Sequence, residues 1–210
     1  MLSKNIDKYT FSQQHDNISM GKRVWYFFWD LVKVVAVALA IIIPVRYFLI
    51  QPFYVQGASM EPSFYDQEYL IIDEISYRLS APDRGDIVVF RYPKDPTQFF
   101  IKRIIGRPGE TVEVKDGFVF IYAEDGNRKY LLDEYDYLDN GVKTRGDKRW
   151  ELGEGEYYVL GDNREHSLDS RIFGPVNRGL IVGKVWLRGW PLDRAKIFNG
   201  VDYEQFNNGN

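Results

Sequence analysis

The sequence predicts a mainly β protein, an antiparallel sheet or barrel-like domain, behind one apolar N-terminal helix. Three observations lead there. The aromatic share is high, 16%, and much of it is Tyr and Phe, which fit pleated, half-buried surfaces. Short apolar or alternating runs separated by turn residues follow position 51, the pattern of a sandwich or barrel. One long apolar run, WYFFWDLVKVVAVALAIIIPVRYFLI at 25–50, precedes them all.

Residues 1–23 are polar and mixed in charge and read as a flexible tail. Residues 24–50 read as a transmembrane anchor. The uncharged part, 34–45, is shorter than the roughly 20 residues of a spanning helix. Lys33 and Arg46 stand near its ends, however, where basic side chains snorkel to the interface. Asp30 and Lys33 are spaced to pair on one helix face. Trp25, Trp29, Tyr47 and Phe48 suit the interfacial belts. A buried core helix and a cleaved signal peptide are the alternatives; the long tail and the poor cleavage site Pro44-Val45-Arg46 argue against the second. Lys22, Arg23 and Lys33 precede or open the span, whereas beyond Arg46 no Lys or Arg occurs until Arg78. The positive-inside rule therefore places the N-terminus in the cytoplasm and residues 51–210 outside.

Strands are expected at 52–56, 68–73, 86–92, 98–106, 111–115, 118–122, 156–161 and 181–189. Pro93 to Pro96, Pro108-Gly109, Asp116-Gly117, Asp125-Gly126 and Asn140-Gly141 supply turns. Residues 115–155 include a charged, turn-rich piece, read as a surface excursion within the 51–210 domain.

Composition narrows the chemistry. No cysteine is present, which excludes disulfides, a thiolate nucleophile and Cys-type zinc sites. The two histidines, His15 and His166, cannot build a His-rich metal site, and no metal or cofactor is expected. The net charge of −3 with no long basic run gives no reason to expect nucleic acid as a partner.

Ser59 in GASMEPSF invites reading as a nucleophile, but a serine hydroxyl needs a base. The G-x-S-x-G elbow fails because Glu61 occupies its last position. His15 falls in the tail. His166 remains, with Asp162 or Asp169 nearby. The other base is a lysine whose pKa is lowered by burial. Lys102 in FFIKRIIG stands in a strongly apolar strand, on one face with Phe100 and Ile104, while Arg103 falls on the other. The bland reading of Lys102 is an edge-strand lysine. A third segment, GDNREHSLDSRIFGPV at 161–176, is either a polar loop with an Asp169–Arg171 ion pair or a scaffold that orients a base. On residues alone, both Lys102 and His166 stay open.

Together these segments, with RGDIVVFRYP at 84–93 and FIKRIIGRPGE at 100–110, resemble the bacterial type I signal peptidases, membrane-bound serine proteases that remove signal peptides from exported proteins. The likeness runs over about 25–198, in the family order and behind an anchor. It implies a signal peptidase/LexA-type β core, Ser59 as nucleophile and Lys102 as general base. Ser167 matches the serine that orients the lysine amine, Asp169 and Arg171 the bracing pair, and Gly161, Asp162, Asn163 and Arg164 the adjoining turn. Met60 and Pro62 fit the S-M-x-P signature. The resemblance further implies preprotein substrates with A-x-A-like sites, contact with membrane lipid through residues such as Phe48, Phe53, Tyr54 and Phe64, and a monomer. Gly57 departs from members that carry a serine there as an oxyanion donor; the Ser59 N–H is expected to donate, with no second donor named. The rivals are a Ser59–His166 hydrolase, a self-cleaving repressor with related Ser/Lys chemistry, and a membrane-tethered β module that binds without catalysis.

Overall fold

The computed structural model describes residues 20–48, 51–124, 126, 128–201 and 203. Most of the expected tail, residues 1–19, lies outside the described residues, as does Asp125 of one expected turn. The chain divides into two units, Met1–Pro44 and Val45–Asn210.

Helix α1 spans Met20–Phe48. Its segment Met20–Ile43 is long and apolar enough to cross a membrane, and none of the apolar window is buried in protein. A helix apolar all round and left uncovered suits lipid rather than a protein core. Asp30 and Lys33 form the expected pair at 3.2 Å, and Trp25 and Trp29 are exposed.

The second unit is antiparallel β throughout its described pairings. Strands β1 (Gln51–Tyr54), β2 (Tyr69–Asp73), β3 (Ile87–Tyr92) and β4 (Asp95–Gly106) come first, with the short helix α2 (Ser76–Leu79) between β2 and β3. Strands β5 (Thr111–Lys115), β6 (Phe118–Tyr122), β7 (Lys129–Leu131) and β8 (Lys148–Glu151) follow. Then come β9 (Glu156–Leu160), α3 (Ser170–Phe173), β10 (Val176–Asn177), β11 (Ile181–Trp190) and β12 (Lys196–Ile197). The larger sheet has the order β1-β2-β11-β3-β4-β9-β10, with β12 on β11; the smaller has the order β7-β6-β5-β8.

The strands follow alternation. In β5 and β6, Val112, Val114, Val119 and Ile121 are buried while their neighbours face outward. Asp116 and Gly117 join these two strands at φ 54° and 87°, the double left-handed turn a two-residue hairpin requires. The sheets share one core, in which Ile105, Tyr158 and Leu160 meet Val112, Val119 and Ile121. At the join, a Cβ on Gly106 would lie 2.3 Å from Val112 Cγ2, so only glycine lets β4 approach β5 this closely. All eight expected strands form, with ends shifted by up to three residues.

The stretch expected as a surface excursion also reaches the interior. Besides β6 it supplies the edge strands β7 and β8, and Leu132, Tyr137 and Leu138 are buried in the shared core. Its many charges hid these isolated apolar positions, which follow no period.

Candidate active site

Ser59 sits in the turn after β1, and Lys102 in the part of β4 that pairs with β3. The antiparallel ladder sets Lys102 opposite Val88. Its side chain is buried, 3% exposed, and its Nζ lies 2.7 Å from Ser59 Oγ and 2.7 Å from the Ile101 carbonyl, to which it donates. The Phe100 ring centroid is 5.5 Å from the amine. Burial dominates its electrostatics: desolvation lowers the Lys102 pKa to about 8, against the opposing pull of Asp169 and Asp162. An amine whose pKa burial lowers therefore sits within hydrogen-bond reach of a serine hydroxyl.

The Ser59 turn is held from both sides. Gly57 has φ +87° and donates its N–H to Asp66 Oδ1 at 2.8 Å. The Ser59 carbonyl accepts from Asn163 N–H at 3.1 Å, and Asn163 Nδ2 donates to the Ala58 carbonyl at 3.1 Å. Met60 is buried with Val55, Leu70 and Phe64, which pins the residue after Ser59 into the core and places Phe64, expected at the lipid surface, in the interior. The Ser59 N–H itself makes no hydrogen bond among the described residues.

The 161–171 segment forms the second wall. Asp169 is fully buried; its Oδ2 accepts from Gly161 N–H at 3.1 Å, and it caps α3 through Arg171 N–H. Arg171 meets it with two bonds, at 2.8 and 2.7 Å. Asp162 is also buried and takes two bonds from Arg103, at 2.9 and 2.7 Å. Gly161 is required by space: a Cβ there would stand 2.1 Å from Ser167 Oγ and 2.4 Å from the Ser59 carbonyl oxygen. Ser167 thus lies beside the Ser59 turn. Its Oγ is buried and makes no hydrogen bond among the described residues, so the lysine contact implied by the resemblance is absent there.

His166 is exposed, and its backbone N–H donates to the Asn163 carbonyl at 3.2 Å. No hydrogen bond joins its ring to Ser59 among the described residues.

Three supporting residues escaped the sequence reading. Arg103 was placed opposite Lys102, but strand alternation gave no hint that it is buried, stacked over Tyr137 at 3.9 Å and paired with Asp162. Glu134 takes both guanidinium nitrogens of the buried Arg164, at 2.9 and 2.5 Å, and Thr144 accepts from the same group. Arg164 Nε in turn donates to the Gly161 carbonyl at 3.1 Å. Glu134 and Thr144 belong to the turn-rich stretch, and no local pattern marks them.

A cleft of about 310 Å³ opens beside Ser59, walled by Phe53, Val55 and Gln56 on one side and Phe99, Phe100 and Ile101 on the other. Strand β1 is a sheet edge, and β4 pairs with β9 only from Arg103 onward. Among the described residues β1 pairs only with β2 and the 99–102 part of β4 only with β3, so each offers an edge to which a further strand could add.

The domain thus sets a serine and a buried lysine beside a cleft flanked by edge-strand segments. The family model for signal peptidase, peptidase S26, matches residues 28–190, and the chain belongs to that family of serine-type endopeptidases. It is 37% identical over 174 residues to a probable signal peptidase I-2 of Synechocystis sp., covering 80% of this chain and 76% of that protein. It is 36% identical over 170 residues to signal peptidase I P of Bacillus subtilis subsp. natto, covering 80% and 91%. A crystal structure of a signal peptidase I from Enterococcus faecalis V583 is 32% identical and covers 50% of this chain and 97% of its own, with a TM-score of 0.41.

Proposed function

We propose that this protein removes signal peptides from exported preproteins, with Ser59 as nucleophile and Lys102 as general base. The observation that carries the reading is the 2.7 Å contact between Lys102 Nζ and Ser59 Oγ, made by an amine whose pKa burial holds near 8. Near neutral pH a usable fraction of such an amine is uncharged and can take a proton.

The preprotein adds as an extended strand to the free edges of β1 and β4. Its residues just before the scissile bond occupy the cleft between Phe53 and Ile101, with small side chains at the −1 and −3 positions. Lys102 takes the Ser59 proton as Oγ attacks the carbonyl carbon. The unbonded Ser59 N–H stabilises the oxyanion. Lys102 then gives its proton to the leaving amine, and the C–N bond breaks to leave an ester on Ser59. A water that Lys102 deprotonates hydrolyses this ester and restores both groups. Asp169, Arg171, Asp162 and Asn163 fix the turn that presses on the Ser59 carbonyl; Ser167 lines the same wall.

Helix α1 anchors the domain in the membrane with its N-terminus cytoplasmic, as the basic residues Lys22, Arg23 and Lys33 favour. The domain then works as a monomer at the outer membrane surface, where cleavage points emerge.

The test is cleavage of a reporter preprotein with an A-x-A site by the full chain in detergent. Ser59→Ala is expected to abolish turnover while the protein stays folded, and His166→Asn to leave it nearly unchanged. Loss of cleavage in His166→Asn with turnover retained in a lysine variant would move the base to the histidine.

A further inference from the structure

A second, larger hollow of about 1000 Å³ lies near the Ser59 turn. Its wall includes Glu61, Pro62 and Tyr65, the 138–147 loop, and Asn163 to Glu165. Two features tie it to Ser59. Glu61 follows Ser59 by two residues, so their Cα atoms are at most about 7 Å apart. Asn163, in the same wall, holds both the Ala58 and Ser59 carbonyls. The hollow therefore lies within reach of a chain bound at Ser59.

The two hollows differ in chemistry. The cleft's lining side chains are mostly apolar, among them Phe53, Val55, Phe99 and Ile101, whereas this groove carries charged ones, among them Glu61, Asp139, Lys143 and Asp147. Within it Asp162 and Arg164 are already matched by Arg103 and Glu134, and Arg145 pairs with Glu165 at 3.5 Å. That leaves four carboxylates in the lining, Glu61, Asp116, Asp139 and Asp147, against one lysine, Lys143. A substrate cut at Ser59 must leave the nucleophile on the side opposite its signal sequence. An extended chain advances about 3.3 Å per residue, so the first three residues after the scissile bond reach well into the groove.

Resting on the peptidase reading above, we propose that this groove is the binding site for the first residues of the mature chain, and that its charge favours lysine or arginine there over aspartate or glutamate. The cleft selects the signal-peptide side and the groove reads the mature side.

The experiment uses the full-length Ser59→Ala protein in detergent and a reporter preprotein carrying a photo-crosslinking residue three positions before or three positions after the scissile bond. The first probe is expected to mark residues 53–56 or 99–101, the second residues 61–65 or 139–147. Correct marking by the first probe with the second outside these segments would overturn the groove assignment and leave the peptidase reading standing. Misplacement of both would overturn the two together. In the wild type, lysine at the third mature position is expected to give about two- to fivefold higher kcat/KM than glutamate at low salt. Added salt, or Glu61→Gln, should narrow that ratio. Equal rates at low salt would refute the charge preference.

Discussion

Lys102→Met separates catalysis from stability at one position. Met has nearly the same length and reach as lysine but no charge. The Lys102 pKa falls from 10.5 to about 8 on folding, which puts the cost of burying the ammonium at roughly 3 kcal/mol. The sign follows from linkage: between about pH 8 and 10.5 the unfolded chain holds the proton more strongly, so wild-type stability rises with pH across that window. Below pH 8 both states are protonated and the full penalty stands. Methionine removes this penalty but orphans the Ile101 carbonyl, which costs about 1–3 kcal/mol. At pH 6 the variant should therefore be as stable as wild type or more so. Its advantage should shrink by roughly 2–3 kcal/mol by pH 10. The assay is denaturant unfolding of both full-length proteins in one detergent at pH 6, 8 and 10, beside preprotein cleavage at the same pH values. Wild-type cleavage should climb through about pH 8 and the variant should lose at least about 10²–10⁴-fold. A stability difference that does not move with pH would refute a buried, pKa-lowered Lys102, and unchanged cleavage would refute its role as base.

Three further outcomes follow from the geometry. Gly161→Ala drives a methyl into Ser167 Oγ and the Ser59 carbonyl, so cleavage should fall sharply while circular dichroism still reports a β fold. Asp162→Ala strips a buried partner from Arg103 and should cost about 3–5 kcal/mol, measured as a drop in denaturant midpoint. Asp66→Ala releases the Gly57 N–H and should lower kcat more than it raises KM, whereas Asp66→Asn keeps an acceptor and should restore most of the rate.

The fold, and the apolar setting of Lys102, were legible for a physical reason. Strand period and turn chemistry are local, and every strand expected from them forms, from the 111–115 run to the 181–189 run. The short partners β7, β8, β10 and β12 are two to four residues long, too brief to carry a period. Lys102 stood out because its neighbours in FFIKRIIG are apolar, which is the same property that desolvates it. Arg103 occupies that same strand, yet alternation says only that it faces away, not that a buried carboxylate waits there.

The unseen part of the scaffold is its long-range pairing, Arg103 with Asp162 and Arg164 with Glu134, and charge balance explains it. Asp162 and Asp169 both raise the Lys102 pKa, so left unmatched beside the amine they would favour the ammonium and disable the base. Each instead binds an arginine through two hydrogen bonds, Arg103 for Asp162 and Arg171 for Asp169. The carboxylates can then hold the 161–169 wall against Ser59 while much of their field is spent on the guanidinium groups. Arg103 comes from β4 itself and Arg164 is matched by Glu134 from the turn-rich stretch, so the wall is tied to two separate parts of the domain. Such a network has no sequence period, because its members share a charge balance rather than a strand. Removing one arginine should therefore do more than loosen the wall. Arg171→Met would free the Asp169 charge toward Lys102, and the rising limb of the cleavage profile should move to higher pH. A limb that stays in place would mean that Asp169 acts on the site through shape alone.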